Sequence, residues 1–194
     1  MMKQVPHTWS SDMSERRGLK TILAFAVSLL ALSSVYAQPK SLGASFSFSG
    51  FGLVYDHALK NDMSFLEVSL KAESAEGFLG RSVYPGVSVG FTWNLVIKEW
   101  LSREGNPIRL FAGPGVIAGY GPDHKSMDGV IIGLKGCFGA ECSFARNAVI
   151  SISLAPVIGS HIVLKEGALL MKYYRNGILY ALVPEIGIKY RFGK

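Results

Sequence analysis

Three small groups of side chains in this 194-residue chain are of types that do chemistry. Cys137 and Cys142 are its two cysteines. They could be a redox pair, half of a metal site, a structural disulfide or two unrelated packing positions. Ser160 and His161 are adjacent, with His57 distant in sequence, and a serine activated by a histidine is a nucleophile for acyl transfer. Eight charged residues, Glu67, Lys71, Arg109, Lys135, Glu141, Glu185, Lys189 and Arg191, sit between apolar or small neighbours. On alternate positions of a strand they would share one face, where they could line a polar path or fill an interior. Which chemistry is available depends on the elements that carry these residues.

Those elements read as strands. Through residues 132–144 the even positions are Ile132, Leu134, Gly136, Phe138, Ala140, Cys142 and Phe144, and the odd ones are small or charged. Such a two-residue period marks a strand with two different environments. It recurs over residues 63–72, 83–95, 108–120, 148–158 and 178–192. The charged octet falls on the polar face throughout. That face is also rich in glycine: Gly86, Gly90, Gly113, Gly115, Gly119, Gly133, Gly139 and Gly187. A soluble sandwich would put Thr, Lys and Glu there, because glycine is poor on an exposed strand. Inside a narrow closed barrel, glycine leaves room for long side chains from neighbouring strands. The alternation therefore predicts a closed antiparallel transmembrane β-barrel.

Composition and address agree. Only 18% of residues are charged, against about a quarter in an ordinary soluble domain. Arg16, Arg17 and Lys20 precede an apolar run over residues 21–32, and Val35 and Ala37 are small residues placed for cleavage before Gln38. Residues 1–37 read as a cleaved signal peptide, with Met1 or Met13 as the start, and residues 38–194 as one barrel domain. Removing the leader takes away four basic and two acidic residues, so the net charge falls from +6 to +4. With no basic stripe interleaved with aromatics, that excess gives no argument for nucleic acid.

Connection lengths alternate. Residues 60–62, 102–107 and 146–147 are short links, while 73–82, 121–129 and 160–177 are longer. Outer-membrane barrels have short periplasmic turns and long extracellular loops, which places the long links outside. Residues 42–59 exceed one spanning strand of about 9–11 residues, so they split near Ser49–Gly52 into two, making eight strands. Residues 168–175 extend the last outer hairpin. Pro85, Pro114, Pro156 and Pro184 fall within the predicted strands, on the outward face.

Several segments together carry a family resemblance: "IRLFAGPGVIAGYG", "GVIIGLKGCFGAECSFARN", "ISISLAPVIG" and the closing "PEIGIKYRF". In these the chain resembles the small porin-like outer-membrane β-barrel family over nearly all of residues 38–194. The resemblance implies an eight-stranded barrel in the outer membrane of a Gram-negative bacterium. It also implies insertion by the barrel-assembly machinery, which reads the terminal aromatic of the closing strand. Here Phe192 is followed by Gly193 and Lys194.

Returned to this frame, the chemistry thins out. Five positions apart on one strand, Cys137 and Cys142 lie roughly 16 Å apart, beyond the 7 Å or so a disulfide spans. They face opposite ways and are expected to be unrelated packing positions. Adjacent strand residues diverge too, and no acid is spaced to orient a histidine, so an enzyme is not expected. Scattered histidines and divergent cysteines supply no metal set, and no cofactor is implied. The charged octet is expected to plug the interior by pairing. The functions left are a structural or surface-interaction role, a narrow solute channel or, less well supported, a lipid-modifying enzyme. Phe91, Trp93, Phe144, Tyr190 and Phe192 near one rim, with Tyr120 and Tyr180 near the other, read as interface aromatics. Trp100 falls in the turn beyond them. The expected partners are outer-membrane lipids, around a monomer.

Overall fold

A computed structural model describes residues 39–59, 63–73, 86–123, 128–165 and 168–192. The leader, the 60–62 turn, most of the 73–82 loop, Pro85, Gly193 and Lys194 lie outside the described residues. The chain forms β1 (Lys40–Ser47), β2 (Gly50–Ala58), β3 (Ser64–Glu73), β4 (Gly86–Leu101), β5 (Pro107–Pro122) and β6 (Asp128–Ser143). It continues through β7 (Ala148–Leu154), β8 (Val157–Lys165), β9 (Ala168–Tyr173), the short helix α1 (Arg175–Leu179) and β10 (Glu185–Phe192).

β1 to β6 pair in sequence, all antiparallel. β6 then meets β7 along Phe138–Ser143 and β8 along Val130–Lys135, so β7 and β8 are two pieces of one barrel strand. β10 lies between β7 and β1 and closes the ring as an eight-stranded barrel. β9 pairs with β8 and extends that strand's hairpin past the ring. The expected division at Ser49–Gly52 is present: Phe48 and Ser49 form a two-residue turn with Ser47 opposite Gly50. Ser102–Asn106 forms the β4–β5 turn, with Gly105 at a φ of 80° that other residues rarely adopt.

Alternation is the organising rule of the packing. β4 runs buried, exposed, buried, exposed from Gly86 to Ile97, and β6 keeps the same period from Asp128 to Glu141. Inside, two apolar clusters fill the ring at different heights. One is Phe65, Val96, Phe111 and Cys137, and the other is Ile117, Ile131, Val157 and Tyr174. The interior glycines make space. A Cβ on Gly139 would come within 2.7 Å of the Phe111 ring, and one on Gly90 within 3.3 Å of Lys135 Nζ.

Four expectations need correction. Residues 178–192 are not one strand: α1 and a tight turn occupy 175–183, and β10 begins only at Glu185. Ile178, Tyr180 and Leu182 mimic a strand's period, but the N–H groups of Tyr180 and Ala181 bond back to Asn176 and Ile178. Residues 148–158 are interrupted at Ala155–Pro156, where the proline has no N–H to give the ladder. Hence only Pro114 of the described prolines expected within strands lies in one, while Pro156 and Pro184 sit in breaks. Trp100 belongs to β4, opposite Ile108, because a bulge between Val96 and Lys98 re-phases that strand and lets it continue. The predicted 160–177 loop is mostly the β8–β9 hairpin.

Candidate functional site

Every charged side chain expected inside the barrel lies there and has an ionic partner. Toward the short-turn end, Glu141 on β6 accepts from Arg109 on β5 and Arg191 on β10, each at 3.3 Å. Next to it, Lys189 Nζ donates to Asp56 Oδ2 at 2.7 Å, and Ser41 Oγ donates to the same oxygen at 2.8 Å. Lys189 also stands 6.0 Å from the centre of the Phe65 ring. Phe65 meets Phe111 edge to face, with centroids 5.2 Å apart. This end leaves a space of only about 30 Å³.

Higher up, Lys135 Nζ reaches Glu67 and Ser69, both at 3.3 Å. Lys71 pairs with Glu185 across the barrel. Lys135 and Lys189 are each only 4% exposed and Glu141 only 7%, so their charges have little access to solvent. Such ions are tolerated only when paired and hydrogen-bonded. Each is delivered by an antiparallel strand whose inward positions the alternation fixes, and glycines opposite clear its path.

Sequence reasoning missed the rest of the network. Asp56 went unnoticed because residues 42–59 were divided without assigning faces. Glu73 was assigned to a loop, yet it closes β3 and accepts from Ser88 Oγ at 2.6 Å and from Tyr174 Oη at 3.0 Å. Tyr174 is 3% exposed. Burial, with the Glu73 carboxylate beside it, pushes its phenol far above the usual range and keeps it protonated. Asp123 accepts the N–H groups of Arg175 at 3.1 Å and Asn176 at 2.9 Å, holding the start of α1 from outside the helix. The only available signal for these was the period itself, which puts Asp56 and Glu73 on their strands' inward faces.

Around these upper groups lies a half-enclosed chamber of about 170 Å³, lined among others by Lys71, Glu73, Ile117, Val157, Tyr174 and Tyr180. Tyr180 is thus part of the mouth lining and not an outward strand residue. The other expected interface aromatics, Phe91, Trp93, Tyr120, Phe144, Tyr190 and Phe192, are exposed on the outer surface.

That surface is the inverse of the interior. Leu42, Leu53, Leu70, Val89, Phe91, Val116, Leu134, Ile150 and Ile188 are all exposed. Register links them from strand to strand: Val68 to Phe91, Phe91 to Val116, Val116 to Leu134, and Leu134 to Ile158. Among the described residues, charge on the outward positions of the ring lies at its two ends, at Lys40 and Lys98 on the short-turn side and at Asp128 on the other.

The remaining candidates separate. Cys137 is buried inside, Cys142 lies on the outward face, and both thiols are free. His161 is fully buried, and its Nε2 lies 2.9 Å from the Gly121 carbonyl oxygen. Ser160 is on the opposite face. Among the described residues no three His, Cys, Asp or Glu side chains gather as a metal site. Compared with known proteins, the chain matches no family model and no curated sequence.

Proposed function

We propose that this chain is an integral outer-membrane β-barrel protein, related to the small porin-like barrels, with a structural or surface-interaction role and a side-chain-filled interior. The observation that carries the reading is the inversion of polarity. A ring of exposed apolar side chains encloses paired charges, where a soluble barrel would have polar groups outside. Closing the antiparallel ring also pairs its strands' backbones with one another without water, which is what hydrocarbon demands.

In this reading residues 1–37 direct export, the long connections face outward from a Gram-negative cell, and the barrel works as a monomer. Trp93, Phe144, Tyr190 and Phe192 anchor the periplasmic interface. Asn147 in the β6–β7 turn supports that rim by donating to Tyr190 Oη at 3.1 Å. The ionic and aromatic layers favour a plug over a channel. The divergence of Ser160 and His161 argues against lipid-modifying catalysis.

Gel migration of the outer-membrane fraction tests this, with unboiled and boiled samples side by side. A boil-dependent shift is expected from a closed barrel, and planar bilayers should then show no steady conductance. Recovery as soluble periplasmic protein with no shift would refute membrane insertion. Steady conductance would move the reading from plug to channel.

A further inference from the structure

The interior is closed differently at its two ends, and the upper closure is separable from the barrel. Residues 174–184 cross the mouth without adding a strand to the ring. Beneath them Tyr174 packs with Ile117, Ile131 and Val157. Gly177 is buried directly over Val157: a Cβ there would lie 2.5 Å from the Val157 carbonyl oxygen and 2.8 Å from the Tyr174 ring. The start of the segment is bonded to the barrel. Tyr174 Oη donates to Glu73 at 3.0 Å, and the N–H groups of Arg175 and Asn176 donate to Asp123. The Tyr174 N–H donates to the Gly159 carbonyl at 2.9 Å, and Asn176 Nδ2 donates to the Pro122 carbonyl at 3.4 Å.

From residue 176 onward the segment's backbone bonds are internal: Tyr180 to Asn176, Ala181 to Ile178, and Val183 to Tyr180. It could therefore swing as a unit without unfolding itself. Its outer side carries Ile178, Leu179 and Leu182, all more than half exposed. Glu73 is itself steadied by Ser88 on β4. Glu73 thus stands on the wall of the ring and Asp123 directly after the end of β5, while their donors ride on the moving piece.

We propose that residues 174–184 are a hinged lid, latched by Glu73 and Asp123, and that its opening admits small polar solutes to the chamber from the long-connection side. The chamber suits such guests, since its walls combine the Lys71–Glu185 pair and serines with the apolar Ile117 and Val157. It ends blindly, because the Phe65–Phe111 layer fills the ring below. The device is therefore a closable pocket and not a pore. It does not depend on bilayer insertion and can be tested in detergent.

The test uses Val157→Cys as a reporter, with Cys137 and Cys142 replaced by Ala. Val157 is 7% exposed beneath Gly177, and cysteine is close to it in size. The rate of modification by a small cationic methanethiosulfonate is compared with and without the pair Asp123→Ala and Tyr174→Phe. Loss of these charge-assisted bonds should speed labelling roughly ten- to a hundredfold while the folded gel mobility is kept. Equal, slow labelling in both would show an immobile wall, and rapid labelling with the latch intact would show no closed state; either overturns the proposal. If the double change abolished the folded mobility, Gly177→Ala replaces it. That change keeps both latch groups and wedges the lid from Val157, with the same outcomes deciding.

Discussion

The lower and upper halves of the barrel interior use the same kinds of residue to different ends. Below, Arg109, Arg191, Lys189, Glu141 and Asp56 interlock beside the Phe65–Phe111 pair, and about 30 Å³ is left over. Above, single pairs such as Lys71–Glu185 stand around about 170 Å³ of space, and the closure comes from a loop segment. Every lower group rides on a strand whose neighbours on both sides are paired. Several upper groups, Tyr174 and Asp123 among them, sit beyond the ladder. Shared carboxylates and ladder-borne partners make a rigid stopper. The same chemistry carried partly on a loop makes a chamber with a cover.

The sharpest way to break the contrast is at Glu141. Replacing it by Ala leaves Arg109 and Arg191 facing each other without the carboxylate that serves both. Stranding buried charges in this way typically costs about 3–5 kcal/mol, and urea unfolding of the refolded barrel should show a loss of that size. Lys71→Ala is expected to cost less, since it strands one group, Glu185, beside about 170 Å³ of space, where Glu141→Ala strands two guanidinium groups. Equal losses would mean that the upper pair is as tightly embedded as the lower network. Joint replacement of Asp56 by Leu and Lys189 by Met should cost less than Lys189→Ala alone, because no buried charge is left unpaired.

The contrast also marks what could be read from sequence. Apart from Asp56, the lower stopper was legible: Arg109, Glu141, Lys189 and Arg191 lie on strands whose period continues through them, and the period alone fixes the inward face. It likewise separated Cys137 from Cys142. The upper half was legible only where it was strand. Ile178, Tyr180 and Leu182 keep a period of two while the backbone is helix and turn, so alternation misled there. Nothing local announces that Asp123 meets the Arg175 and Asn176 amides or that Tyr174 meets Glu73, because those contacts depend on how the connections lean together over the mouth. Side-chain period reports which face a residue takes, but not where a ladder stops.

A second, somewhat smaller effect separates the outside from both interior regions. Leu134 is 68% exposed near the middle of β6, between Val116 and Ile158. In a water-soluble barrel, Leu134→Arg would be nearly neutral or would improve solubility. Facing the midplane of a bilayer, it should cost about 2–4 kcal/mol, measured by urea unfolding in lipid vesicles. The same change at Trp100, which faces outward on the short-turn rim opposite Ile108, should cost about 0–1 kcal/mol. Equal effects at the two sites would remove the depth dependence that a membrane imposes.

The smallest effect is the one that bears most directly on the upper half. Tyr174→Phe removes one hydroxyl and leaves the ring among Ile117, Ile131 and Val157. Glu73 keeps Ser88 at 2.6 Å, so its carboxylate is not stranded, and the loss should fall on the closure rather than on the ring, at about 1.5–3 kcal/mol for one hydrogen bond to a charged group. Glu73→Gln should lose a similar amount or less, because a side-chain amide oxygen can still accept from Tyr174. If the upper closure were built like the lower one, either change would loosen the whole barrel and lower the temperature at which gel migration shifts. If the closure is a cover resting on a finished ring, that temperature should hardly move, while hydrogen exchange should quicken at the Arg175 and Asn176 amides. Local opening would then have become easier without the strands coming apart.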